Sequence, residues 1–170
     1  HTPLQAPQDL VEKYEKKLQT DPSQKNAVYG AMVERMDYNV GRIIDNLEQS
    51  GLRENTLFIL VSDNGGLGRV TNNQPLRQGK GFLYEGGIRV PLIISWPGQI
   101  KAGGHSNVPT ISHDLYPTII SLVSGAKPGD GIEGKSLAPI LKDDQPIEKR
   151  ELHWYYPHYS PQAKMPGAAV

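Results

Sequence analysis

Six residues, Thr56-Leu57-Phe58-Ile59-Leu60-Val61, constrain this chain more than any others. The run is nearly all apolar and rich in β-formers, so it reads as a strand buried on both faces, as in a parallel sheet. It stops at Ser62-Asp63-Asn64-Gly65-Gly66, where two oxygen-bearing side chains precede two glycines. In open α/β sheets, ligands bind just beyond the carboxyl ends of strands. Asp63 and Asn64 therefore stand where a binding group belongs. Lys80 follows between two glycines, and a second strand, from Ile88 to Ser95 with Pro91 near its start, closes the unit.

Helices surround this unit. Pro7 leads into one from Gln8 to about Gln19, with Leu10, Val11, Tyr14 and Leu18 on one side. Asn26 can cap a longer one that runs to about Ser50, with apolar residues from Tyr29 to Leu47 at helical spacing and Gly51 at the stop. Val108 to Ser112 reads as a short third strand. Asp114 then caps a helix carrying Leu115, Ile119, Leu122 and Val123, which Gly125 ends. Lys127 to Gly134 reads as a linker or domain edge, dividing the chain at 126/127. Beyond it come a short helix near Ser136 to Leu141, a strand from Leu152 to Tyr156, and a proline-rich end expected to be disordered.

At 170 residues the chain can bury a sizeable core. Lys and Arg total 18, as do Asp and Glu, so nothing implies attraction to nucleic acid or to an anionic membrane. No cysteine is present, which excludes disulfides and thiolate metal sites. No apolar run approaches the ~20 residues of a membrane span.

Asp63 and Asn64 offer hard oxygen ligands of the kind Ca²⁺ or Mg²⁺ prefers. Two ligands cannot complete such a site, and Asp-Asn-Gly-Gly is also an ordinary turn. Lys80 could neutralise charge on a sulfuryl or phosphoryl oxygen, although an exposed lysine is the usual fate of that residue. Glu85 and Arg89, four apart, read as a structural ion pair. His113 reads as a packing or capping residue, and Arg77 is near enough to Lys80 to assist anion binding. His105, His153 and His158 share no metal-ligand spacing. The Tyr155-Tyr156 and His158-Tyr159-Ser160-Pro161 stretches could line an aryl pocket.

The segments SDNGG, PLRQGKG and YEGGIRVPLIISWPG, in that order, resemble the carboxyl-terminal half of a sulfatase, within the alkaline-phosphatase-like superfamily. Upstream, His1 to Pro7 and Tyr29 to Asp37 fit the same pattern; downstream, so do Asp114 to Thr118 and Asp130 to Leu137. The resemblance implies part of a mixed or parallel α/β sheet flanked by helices, over residues 1–126, and part of a small carboxyl-terminal α+β subdomain, over 127–170. It implies that Asp63 and Asn64 bind a calcium ion that polarises a sulfate ester. It implies that Lys80 contacts the sulfate, as does His1, whose imidazole suits general acid work. A terminal histidine is normally frayed, so the position of His1 is expected to be lost in a chain that begins with it.

The family's nucleophile is a formylglycine made from the Cys or Ser of a C/S-x-P-x-R motif. Ser95-Trp96-Pro97-Gly98-Gln99 is a decoy, with Gln where Arg belongs. These residues are therefore expected to hold about half a site, to need an amino-terminal half as partner, and to be inactive alone. Competing readings are a phosphoester or phosphonate hydrolase of the same superfamily and a non-catalytic anion-binding remnant. Family analogy implies a periplasmic, secreted or lysosomal location.

Overall fold

The computed structural model describes residues 3–21, 23, 25–162 and 165–170; His1 lies outside them. The described chain is α/β and divides into two compact units. One comprises His1–Gly51, Leu60–Ile93 and His153–Ala169; the other comprises Leu52–Ile59, Ile94–Leu152 and Val170.

The first unit begins with α1 (Gln8–Thr20) and α2 (Ala27–Gln49), which pack together. Val11 and Ala31 are buried, and the Tyr14 ring lies where any side chain at Gly30 would start, 2.6 Å away. Lys13 Nζ donates to Glu34 Oε2 at 2.7 Å across the pair. Asn26 caps α2 as expected, its Oδ1 accepting the Tyr29 N–H at 2.9 Å, and Gly51 follows the helix at φ +66°. Asn26→Ala should lower stability by about 1 kcal/mol, read as a shift of the urea midpoint, because the cap satisfies an otherwise orphaned N–H.

The expected strands form, but shorter: β1 is Phe58–Val61 and β2 is Leu92–Ser95, paired in a two-stranded sheet. Burial on both faces does not follow. Val61 is 43% exposed and Ile93 54%, because among the described residues this sheet has only two strands and little to cover them. Between them lies α3 (Glu85–Ile88), a single turn with Gly86 and Gly87 buried. Glu85 and Arg89 do pair across it, at 3.5 Å, both exposed, so the pair contributes little.

At the carboxyl end the expected strand appears as β3 (Trp154–Tyr156). The sequence reading missed its partner. Gly167–Ala169 forms β4, antiparallel to β3 with Tyr155 opposite Ala168, inside the stretch expected to be disordered.

The second unit is built on α4 (Leu115–Ser124) and α5 (Ala138–Asp143). Gly125, at φ +68°, ends α4 as expected. Two expectations fail here, for one reason. Val108 to Ser112 forms no strand, and Asp114 is not a side-chain N-cap of α4: its backbone is already helical, and its only capping bond reaches back to Ile111, ahead of the 3₁₀ turn Ser112–Asp114 that leads into the helix. The carboxylate instead accepts the N–H groups of Ile111 and Lys135, each at 2.9 Å, and N–H bonds from both terminal nitrogens, Nη1 and Nη2, of Arg150. Thr118 Oγ1 donates to the Asp114 carbonyl at 2.5 Å and accepts the Leu137 N–H at 2.8 Å. Asp114 and Thr118 are fully buried. The Ile111 N–H that a third strand would have used is thus taken by a side chain. His113, expected to pack or cap, is exposed.

Candidate active site

β1 ends with Leu60 and Val61 in the first unit and delivers the chain to Ser62-Asp63-Asn64-Gly65-Gly66 as the sequence implies. Ser62 Oγ donates to the Asn64 carbonyl at 2.9 Å, and Asn64 Nδ2 donates to the Gly65 carbonyl at 3.0 Å. That second bond engages the amide nitrogen, leaving the side-chain oxygen as the atom of Asn64 suited to a cation. Asp63 is exposed and Asn64 half-buried.

The loop is fixed by its glycines. Gly65 N–H donates to the Gly87 carbonyl at 2.9 Å, and a Cβ at Gly65 would overlap the Gly86 carbonyl oxygen. Backbone thus lies on backbone, a contact open only to residues without a side chain. Gly86 N–H in turn donates to the Arg77 carbonyl at 2.8 Å, and Phe82 N–H to the Gly79 carbonyl at 3.0 Å. The YEGG turn is therefore the wedge on which the other two motif loops sit.

Lys80 is brought to this loop through its backbone: its N–H donates to the Gly66 carbonyl at 3.0 Å. Its side chain is exposed. Asp63, Asn64 and Lys80, 17 positions apart at the extremes, are thus held on two loops joined directly. Arg77 has a different partner: its guanidinium lies 3.9 Å from the centroid of the Tyr84 ring, a cation–π contact.

One contribution escaped the sequence reading, and a second comes from the stretch around Ser160 that the sequence singles out only for an aryl pocket. Asn73 Nδ2 donates to the Gly66 carbonyl at 2.8 Å and to the Gln78 carbonyl at 3.1 Å, within a stretch that showed only polar, aperiodic residues. A Cβ at Gly81 would meet Gln162 Cβ at 2.7 Å and Ser160 Oγ at 3.3 Å, so the segment after β3 packs on the glycine beside Lys80. At the junction of β3 with that segment, Tyr156 and His158 meet edge to face with ring centroids 5.4 Å apart.

The donor set suits a hard cation but is incomplete. Asp63 and Asn64 supply two oxygens against the six to eight that Ca²⁺ takes, and the described residues contain no group of three or more His, Asp or Glu able to hold a metal. Among the described residues no helix is long and apolar enough to cross a membrane.

The sulfatase family model matches residues 1–126. A sulfatase from Formosa agariphila is 38% identical over 176 residues, which cover 95% of this chain and 32% of that protein. Among solved structures, Ps i-CgsB in complex with k-i-k-neocarrahexaose is 36% identical with a TM-score of 0.71, over 82% of this chain and 31% of that one. The phosphonate monoester hydrolase SpPMH from Silicibacter pomeroyi is 32% identical with a TM-score of 0.62, over 76% of this chain and 24% of that one. The chain spans 24–32% of the length of these proteins. From the motif loops, the α/β architecture and these matches together, the chain belongs to the sulfatase family and has its alkaline-phosphatase-like fold.

Proposed function

We propose that the full protein carrying this chain is a calcium-dependent sulfatase that hydrolyses sulfate monoesters. The observation that best supports this reading is the Lys80 N–H to Gly66 carbonyl bond of 3.0 Å, which joins the loop of Lys80 to the loop of Asp63 and Asn64. Asp63 and Asn64 would hold the calcium, with Mg²⁺ an alternative, and other ligands would come from outside these residues. When bound, the ion supplies positive charge that polarises the ester oxygens. The Lys80 ammonium binds a sulfuryl oxygen and stabilises the charge that grows on it in the transition state. His1, in the HTPLQAP segment, protonates the leaving oxygen. The nucleophile is a formylglycine outside these residues, so the 170 residues alone should release no product. The location proposed is periplasmic, secreted or lysosomal.

A second reading, hydrolysis of phosphonate or phosphate monoesters, is favoured by the likeness to a phosphonate monoester hydrolase. Purified full-length protein, assayed with para-nitrophenyl sulfate and with a phenylphosphonate ester, should prefer the sulfate; a preference for the phosphonate would adopt the second reading. Lys80→Ala should lower kcat/KM for the sulfate by about a hundredfold, as loss of one preorganised charge partner does. Asp63→Ala should raise the calcium needed for half-maximal activity at least about tenfold. Calcium titration of both variants checks this, since only Asp63→Ala should move the midpoint.

A further inference from the structure

We infer that Asn73 is a positioning residue of this site: its side-chain amide ties the loop of Asp63 and Asn64 to the loop of Lys80 and sets the spacing between them. The inference rests on the sulfatase reading above and extends it to a residue with no chemistry of its own.

Asn73 Nδ2 has two protons, and both are used: one bond goes to the Gly66 carbonyl at 2.8 Å, the other to the Gln78 carbonyl at 3.1 Å. Two carbonyls can be satisfied together by an amide nitrogen but not by its oxygen, which fixes the orientation of the group. The first carbonyl lies two positions after Asn64 and the second two positions before Lys80. The same Gly66 oxygen also accepts the Lys80 N–H at 3.0 Å, so two donors, the Asn73 amide and the Lys80 backbone, converge on one atom.

The surroundings are shaped for this amide. A Cβ at Gly66 would come within 2.6 Å of Asn73 Oδ1, and a Cβ at Gly79 within 2.5 Å of Asn73 Nδ2. The second glycine of DNGG and the first of GKG are thus the two walls between which the side chain fits. Gln78 sits at φ +64°, a conformation that a non-glycine residue keeps only where its surroundings hold it. The bond from Asn73 to its carbonyl is such a hold. Asn73 is itself anchored: its carbonyl accepts the Leu76 N–H at 2.9 Å, and neighbouring Asn72 donates to the Ser23 carbonyl at 3.2 Å.

The test uses the full-length protein with para-nitrophenyl sulfate. Asn73→Asp keeps the shape of the side chain and removes both donors; Asn73→Ser keeps one hydroxyl donor on a shorter stem. Asn73→Asp should lower kcat/KM about a hundredfold, as loss of near-attack alignment does, with Asn73→Ser falling between it and the native protein. In a Lys80→Ala background the same substitution should change kcat/KM by no more than about twofold, because the group it positions is already gone.

Losses that multiply instead, or an Asn73→Asp variant with native activity beside an impaired Lys80→Ala, would overturn the positioning role. So would melting of both Asn73 variants below the assay temperature, which would make the residue a determinant of folding only. Native activity in Lys80→Ala itself would overturn the sulfatase reading, and this inference with it; the two failures are therefore told apart by the single lysine variant.

Discussion

Replacing Asp114 by Ala is expected to cost about 3–5 kcal/mol of stability, the range for removing one partner of a buried ion pair. The substitution strands the largely buried Arg150 guanidinium and removes the acceptor of the Ile111 and Lys135 N–H groups. Each unpaired N–H adds its own desolvation cost. Urea unfolding of the two proteins would show it as a lowered midpoint; coincident midpoints would mean that the node is idle.

The same carboxylate carries a pH signature. Burial alone would raise its pKa, but the hydrogen bonds from Arg150, Ile111 and Lys135, with the Arg150 charge, outweigh burial and hold it below its ordinary 3.8. A group whose pKa is lower in the folded state stabilises that state above the unfolded pKa and loses the contribution as pH falls toward the folded one. Stability from this group should therefore be level from neutrality to about pH 5 and decline below about pH 4. Asp114→Asn should flatten that acid limb. An unchanged limb would assign the acid loss to other groups.

The second large effect is expected at Gly65. A methyl group there would overlap the Gly86 carbonyl oxygen and lie 3.0 Å from Gly87 Cα, and both neighbours are backbone that cannot rotate aside. The DNGG loop must then lift from the YEGG turn, breaking the bond from Gly65 N–H to the Gly87 carbonyl. Asp63, Asn64 and Lys80 lose alignment together. Gly65→Ala in the full protein should reduce kcat/KM by about a thousandfold, misalignment compounding the loss of a charge partner. Its thermal stability should fall only by the ~1–3 kcal/mol usual for overpacking. Retained activity would mean that this backbone contact does not govern the site.

Much of this was legible in the residues, and what was not has physical reasons. The helices over Gln8–Thr20 and Ala27–Gln49 announce themselves because each has a one-sided apolar pattern and punctuation at its ends. Asp63 and Asn64 were locatable because a β-rich run stops there. The lengths and burial of β1 and β2 were not, since a run of Leu, Phe, Ile and Val reports a tendency to be covered and not what covers it. Asp114 misled because an aspartate before an apolar run looks like a cap, whereas its partners, Lys135 and Arg150, lie 21 and 36 positions onward. Asn73 was invisible for a similar reason: its meaning depends on Gly66 and Gln78 being brought to it. β4 was missed because Gly-Ala-Ala carries almost no strand propensity and is specified by its pairing with Trp154–Tyr156.

The chain has two tryptophans, and they fall in different units: Trp154 in the His153–Ala169 segment and Trp96 in the Ile94–Leu152 segment. Trp96 is tethered as well, its Nε1 donating to the Glu54 carbonyl at 2.7 Å within its own unit. Each unit therefore comes with a built-in optical label. With Trp154→Phe, the remaining emission tracks only the unit that contains Asp114; with Trp96→Phe, only the unit that contains the lysine loop. Fluorescence melts of the two single-tryptophan proteins would reveal whether the units come apart in one event or in two.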